Sequence, residues 1–287
     1  MTTPKVQEAV ARVNELPTLP SVLGKILVTA ADPDASALDL GKHIAADQSL
    51  SATLLKLVNS AYYGFFRQIT SITHAIVILG FVEVRNLTLT ATVFRTMGNG
   101  KGAYDRMQLW RHSLATAMAA ERIVKSLNMD REGVFESALL HDIGKVTLDM
   151  LYPELFGVVA RQAMDTGLSL RLVEREIFGL DHAEVGELLG NHWNLPNSVV
   201  SAIRFHHQPE LASSNEHLVA LISLANYLSY KAELGDPGNG GEPELPQFAI
   251  QLLDTKVDQV LDVREYLVEN EDRIDEFLGI FQESNTA

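Results

Sequence analysis

With 287 residues, 46% of them hydrophobic, the chain has material for one large domain or two small ones. It has no cysteine, which excludes disulfides and thiolate metal sites and suits a reducing cytoplasm. A formal net charge of -14 without any basic stripe opposes a phosphate backbone, so no direct nucleic-acid binding is expected.

The first residues, Met1-Thr-Thr-Pro-Lys5, lead into Glu8, Arg12 and Glu15 rather than into the apolar region of a signal peptide, so export is not expected. The most apolar tracts are Ile72 to Phe94 and Leu218 to Leu228. The first is broken by His74, Gly80, Glu83 and Arg85, and the second is too short for a bilayer, so membrane insertion is not expected. β-Branched residues fall in segments of helical spacing, and no Asn-Gly or Asp-Gly turn joins two strand-like runs, which predicts an all-α chain. Ser36-Ala-Leu-Asp39 reads as a capping box, and Gly80 should stop the helix that begins after Ser71. The aromatic run Tyr62-Tyr63-Gly-Phe-Phe66 is expected to be packed inside rather than displayed as a docking surface.

Roughly six helices should fill residues 1–100 and end near Met97 in Gly98-Asn-Gly-Lys-Gly102, a joint between lobes. A second lobe, 101–232, has longer helices and most of the histidine. It is followed by a glycine-proline loop at 233–246 and by two acidic amphipathic helices over 247–287. That last segment holds ten Asp or Glu against three Lys or Arg, the composition of a solvated helical face.

The chemistry resides in the second lobe. His141-Asp142 closes the apolar run Val134 to Leu140, and His112, His182, His192, the pair His206-His207 and His217 are scattered around it. No two are spaced i, i+4 as in a helix-borne zinc-protease motif, so a metal would have to be gathered from several helices by the tertiary fold. His112 and His182 lie beside small residues such as Ala115 and Gly186 and are expected to face inward; His206-His207 precedes Gln208-Pro209 at a helix end. His43, His74 and His217 keep a structural reading.

His112 followed by Leu-Leu-His141-Asp142-Ile-Gly-Lys145 resembles the HD superfamily of metal-dependent phosphohydrolases. The first lobe is more specific: Leu16-Pro-Thr-Leu-Pro20, Ile44-Ala-Ala-Asp47, Leu54-Leu-Lys-Leu-Val-Asn-Ser-Ala61, Ile69-Thr-Ser-Ile-Thr-His-Ala75 and Leu79-Gly80 resemble the HDOD domain, the HD-related output domain of bacterial signalling proteins. The resemblance covers about residues 10 to 230. It implies an N-terminal helical lobe packed on an HD-like helical bundle, and a cytoplasmic signal-transduction role with signalling proteins or a nucleotide-type ligand as partners.

It also implies ligands. His112, His141 and Asp142 match the HD metal ligands, and Asn226 stands where an HD enzyme has its last aspartate, so one negative charge is lost. His182, His206 and His207 match second-metal positions of the related HD-GYP phosphodiesterases, whose Gly-Tyr-Pro loop is absent here. Gln108 stands where some relatives have glutamate. One or two divalent ions are implied, with iron, manganese, nickel or zinc favoured over magnesium by the imidazole content. In an active enzyme two ions about 4 Å apart, bridged by Asp142, would activate water, and Lys145 would stabilise charge on phosphoryl oxygens. Three functions stay open: a regulatory protein with a retained metal site, an active phosphohydrolase on a nucleotide or cyclic dinucleotide, and a metal-free interaction scaffold.

Overall fold

The computed structural model describes residues 24–25, 29, 36–60, 63–97, 104–129, 133–255 and 257–284, with side chains excepted at 257–261 and 282–284. The described residues are helical, without strands, as an all-α chain requires. Leu16 to Pro20, Tyr62 and the Gly98 to Gly102 joint lie outside them. Contacts divide the chain into two compact units, one of Pro17–Gly98 with Asn270–Ala287 and one of Asn99–Glu269 with Met1–Leu16.

In the first unit α1 (Ala37–Ala45) opens on the expected capping box, with Asp39 N–H donating to Ser36 Oγ at 3.2 Å. α2 (Gln48–Val58) follows, capped by Asp47, whose carboxylate accepts from Leu50 N–H at 2.9 Å and from Arg95 at 2.9 Å. Asn59 then ties the following loop down, donating to Leu55 O and Ile69 O and accepting from Ile69 N–H. With its ends pinned, this loop turns Phe65 and Phe66 outward: both are exposed, contrary to the expectation of internal packing, and Tyr63 donates to Glu83 at 2.6 Å. α3 (Ile72–Leu79) starts at Ser71 and stops at Gly80, whose φ of 92° is open to glycine at little cost.

α4 (Phe81–Met97) contains Asn86-Leu-Thr-Leu-Thr-Ala-Thr-Val-Phe94, which alternates like a strand yet is helical and almost wholly buried. Thr88, Thr90, Thr92 and Thr96 each return their hydroxyl to the carbonyl four residues back, so both faces can be buried without an orphaned O–H.

The Asp47 cap gives a pH-dependent prediction. Burial pushes its carboxyl up, but the Leu50 N–H and the Arg95 guanidinium outweigh this and hold it below the ordinary value. A depressed folded-state pKa stabilises fully above the unfolded value near 4 and fades as pH falls through the folded one. Asp47→Ala should therefore cost about 1 kcal/mol at pH 7 and progressively less in acid, read from denaturant unfolding at both pH values. An equal cost at both would remove the electrostatic part of the account.

The second unit is laid out as α5 (Arg106–Leu127), α6 (Val134–Leu140), α7 (Ile143–Leu151), α8 (Pro153–Thr166), α9 (Leu170–Phe178), α10 (His182–His192), α11 (Asn197–Phe205), a 3-10 turn (Pro209–Leu211), α12 (Glu216–Lys231), α13 (Gln247–Leu252) and α14 (Val257–Glu269). α5 is the central member, flanked by α6, α12 and α14. Its fully buried Ala115, Ala117, Ala119 and Ala120 let those neighbours approach closely. Among its described residues the acidic segment 247–287 has three helices rather than the expected two. α13 and α14 belong to this unit, whereas α15 (Glu271–Ser284) belongs to the first unit, where it packs on α2 and α4 and stacks Phe281 on Phe94 at 4.3 Å.

Candidate metal centre

The break between α6 and α7 places His141 and Asp142 at the middle of the second unit. Asp142 occupies the N-cap position of α7 but makes no side-chain cap bond, unlike Asp47 and Asp181, so its carboxylate is left for other partners. α7 crosses α10 at Gly144 and Gly186: a methyl on Gly144 would collide with the His182 carbonyl and lie 2.8 Å from Gly186 N. That crossing brings His182, at the first turn of α10, onto Asp142. α11 ends at Phe205 with His206 as its C-cap, and His207 follows.

Six expected ligands converge. Asp142 Oδ2 lies 3.3 Å from His141 Nε2, while Oδ1 lies 3.2 Å from His182 Nε2 and 3.5 Å from His206 Nε2. Two sets of candidate ligand atoms result, His112, His141 and Asp142 in one and Asp142, His182, His206 and His207 in the other, with atoms within 4.8 Å of one another in each. Asp142 belongs to both. Asn226 Oδ1 stands 2.8 Å from His112 Nε2, which puts the amide at the edge of the first set. His192 and His217 are exposed and outside the cluster, and His43 and His74 belong to the other unit.

Orientation is fixed from behind. His141 Nδ1–H donates to Ala138 O at 2.6 Å and His206 Nδ1–H to Ile203 O at 2.8 Å, so both rings turn Nε2 inward. Glu174 Oε2 accepts from His182 Nδ1–H at 2.7 Å and from its backbone N–H at 2.9 Å. Glu174 escaped the sequence reading, although a signal existed: it lies within the apolar stripe of α9 beside the buried Leu170, Val173 and Phe178, an unusual place for a carboxylate.

Electrostatics separate the rings by role. Burial lowers His112 to about 3, with the neighbouring His141 acting in the same direction, and lowers His206 to about 4 although the Asp142 carboxylate 3.5 Å away favours its charged form; both are neutral near pH 7. Burial also opposes charge on His182, but the Glu174 carboxylate outweighs it and raises the ring to about 9. His207, whose Nε2 is 2.9 Å from His182 Nε2, is held well below the ordinary value by burial and by His206. Two imidazole nitrogens so close either share one N–H, donated by one ring to the lone pair of the other, or face a common cation. Burial would protonate Asp142, yet Lys145 and His141 overcome that and keep it ionised.

Lys145 is only 1% exposed and donates to Asp142 Oδ2 at 2.7 Å and to Pro237 O at 3.0 Å. Its ammonium thus serves the carboxylate and the loop 233–246 rather than the open cavity beside the cluster. That loop lies tightly on the helices: a methyl at Gly235 would collide with the Gln108 carbonyl and one at Gly240 with the Ala163 carbonyl.

Among the described residues, His141 Nε2, His206 Nε2 and Asp142 Oδ1 are buried polar atoms without a hydrogen-bond partner. Orphans of this kind are rare in folded proteins, and here three converge, the pattern that a divalent ion satisfies. The donor set of imidazole and carboxylate fits such an ion. Glu174→Gln is expected to weaken metal affinity by about 10–100-fold through loss of ring orientation, measured by competition against a chelator; unchanged affinity would exclude Glu174 from the site.

Comparison with known proteins bears on this geometry. A family model of the HDOD domain matches residues 16–209. An uncharacterized protein of Treponema pallidum (strain Nichols) is 29% identical over 229 residues, which are 78% of this chain and 44% of that protein, so the chain spans under half the length of this curated relative. An HDOD domain protein with unknown function from Geobacter sulfurreducens has a solved structure with TM-score 0.81 and 26% identity, covering 95% of this chain and 99% of that one. A candidate phosphohydrolase from Shewanella amazonensis SB2B gives TM-score 0.77 at 24% identity over 95% and 97% of the two chains. A candidate signal transduction protein from Marinobacter aquaeolei VT8 gives 0.79 at 22% over 97% and 65%. The last two establish a shared fold alone.

Proposed function

Since the chain belongs to the HDOD family, we propose that it is a cytoplasmic signal-transduction module that holds a divalent metal centre around Asp142 and uses it to bind a phosphoester ligand. One observation carries this reading: the buried, unpartnered Nε2 atoms of His141 and His206 face the two carboxylate oxygens of one aspartate, at 3.3 Å from Oδ2 and 3.5 Å from Oδ1, and that Oδ1 is itself unpartnered.

In the proposal His112, His141 and Asp142 hold one ion, with Asn226 beside it, and Asp142, His182, His206 and His207 hold another; iron, manganese, nickel or zinc suit these ligands better than magnesium. A bound ion of this kind polarises a phosphoryl oxygen and acidifies water. The chain's own residues set the stage for it. Glu174 aims His182, Ala138 O and Ile203 O aim His141 and His206, and Lys145 keeps Asp142 charged while acting through that carboxylate. Asn226 in place of a carboxylate lowers the site's negative charge, which supports ligand sensing over fast turnover. Signalling proteins are the partners that this role requires.

A second reading, hydrolysis of the bound phosphoester, is favoured by a cavity of about 600 Å³ that reaches His206, His207 and Asn226. A manganese-, iron- or zinc-supplemented assay on a panel of phosphodiesters and monoesters separates the two. The regulatory reading expects binding without turnover, and turnover abolished by Asp142→Ala would replace it with the enzymatic one. A metal-free scaffold would keep its melting temperature on chelation, whereas the proposed holoprotein loses the stabilisation that metal binding provides.

A further inference from the structure

The cavity beside the second ligand set has two chemically different ends. At the inner end His206, only 1% exposed, presents its unpartnered Nε2. Next to it Arg171 is held by two bonds, Nε to Asp181 Oδ2 at 3.0 Å and Nη2 to Gln208 Oε1 at 2.9 Å, which fix the guanidinium and leave Nη1 for a ligand. Asn226 spends its oxygen on His112, so what it offers the cavity is its amide N–H pair. Arg171 Nη1 and the Asn226 amide are donors prepositioned for an oxyanion, while His206 Nε2 offers its lone pair to a metal; the bonds of Arg171 and Asn226 to Asp181, Gln208 and His112 mean that little ordering is needed on binding.

The outer end reverses the sign. Its rim carries Glu210, Glu242 and Glu244, all exposed. Lys231 reaches Glu242 at 3.3 Å, while Glu210 and Glu244 have no cationic partner among the described residues. The donors and these carboxylates line one cavity, so a ligand that fills it meets both. A second or third phosphate would lie among like charges, whereas an amine would be drawn there.

Resting on the metal reading above, we infer that the cavity takes a small zwitterionic phosphoester, with one phosphate at Arg171 and the metal ligands and an amine or other cation at the Glu210, Glu242 and Glu244 rim. Cyclic dinucleotides and nucleoside triphosphates, which carry negative charge toward both ends, are excluded as preferred ligands. Exposed carboxylates act through a screened field, so the selectivity is modest and salt-dependent.

The test uses the full chain loaded with manganese and freed of excess metal, and measures by calorimetry at low salt the affinities for phosphoethanolamine, ethyl phosphate and inorganic triphosphate. Phosphoethanolamine should bind about fivefold tighter than ethyl phosphate and tighter than triphosphate, three modest exposed charge pairs together accounting for the ratio. Glu210→Gln, Glu242→Gln and Glu244→Gln combined should erase that ratio, because phosphoethanolamine loses its attraction at the rim while ethyl phosphate, freed of like charge, binds no more weakly than before. Arg171→Gln should weaken both monophosphates about tenfold, the loss of one charge-assisted hydrogen bond. Equal binding of the two monophosphates, tighter binding of triphosphate, or a metal-loaded protein that binds none of the three overturns the inference. A chain that takes up no metal yet keeps the fivefold amine preference would instead strike the metal reading and leave this one standing.

Discussion

Gly144→Ala is expected to collapse the second unit's melting transition, at a cost above about 4 kcal/mol, because the added methyl has no place to go. It would overlap the backbone carbonyl of His182 and press on Gly186 N, and backbone atoms cannot rotate away as a side-chain tip can. Relief requires α7 and α10 to separate, and that movement carries Asp142 away from His182. Thermal unfolding gives the first readout, and metal retention in whatever folded fraction remains gives the second. A variant that melts within a few degrees of the parent would mean that the two helices do not cross at this glycine, and the geometry of the centre would fall with it.

Asp142→Asn is the second large effect, and it separates stability from ligation. The amide keeps the shape but removes the charge that Lys145 answers at 2.7 Å, leaving an ammonium with 1% exposure and no counter-charge. Breaking a buried pair this way costs about 3–5 kcal/mol. Adding Lys145→Met should restore much of the lost stability, since the uncompensated charge goes with it, yet metal binding should stay lost because both ligand sets share Asp142. Denaturant unfolding and metal titration of the single and double variants decide this. If the double variant regains metal, Asp142 is not the shared ligand.

The helices were legible where local chemistry decides them. The Ser36 and Asp39 box, and the Ser71 start with its Gly80 stop, are short-range features that the sequence spells out and the structure contains. Residues 86–94 show the opposite case. Their two-residue alternation is a strand pattern, and only the return of each threonine hydroxyl to its own helix lets them be helical and buried on both faces. The exposure of Phe65 and Phe66 was not legible, because it depends on Asn59 pinning Ile69, ten positions further along the chain.

For the site, residue types and adjacency pointed to His141-Asp142 and His206-His207, and family resemblance added Asn226 and the pairing of His182 with them. What no spacing could supply is the α7–α10 crossing that joins them, since Gly144 and Gly186 are far apart in sequence and neither is unusual alone. The place of Lys145 one turn beyond His141 suggested either a group facing the phosphate or a surface lysine, and it is neither, being buried. The Asp142 and Pro237 bonds that engage its ammonium instead involve a loop more than ninety residues away.

The most direct measurement is the metal content of the full chain, purified without an affinity-tag metal column and analysed by elemental mass spectrometry before and after incubation with manganese, iron or zinc. The account predicts up to two ions per chain, one for each ligand set, retained through gel filtration and absent from Asp142→Asn. A content near zero after incubation with all three metals would contradict it, and the converging histidines would then be packing alone.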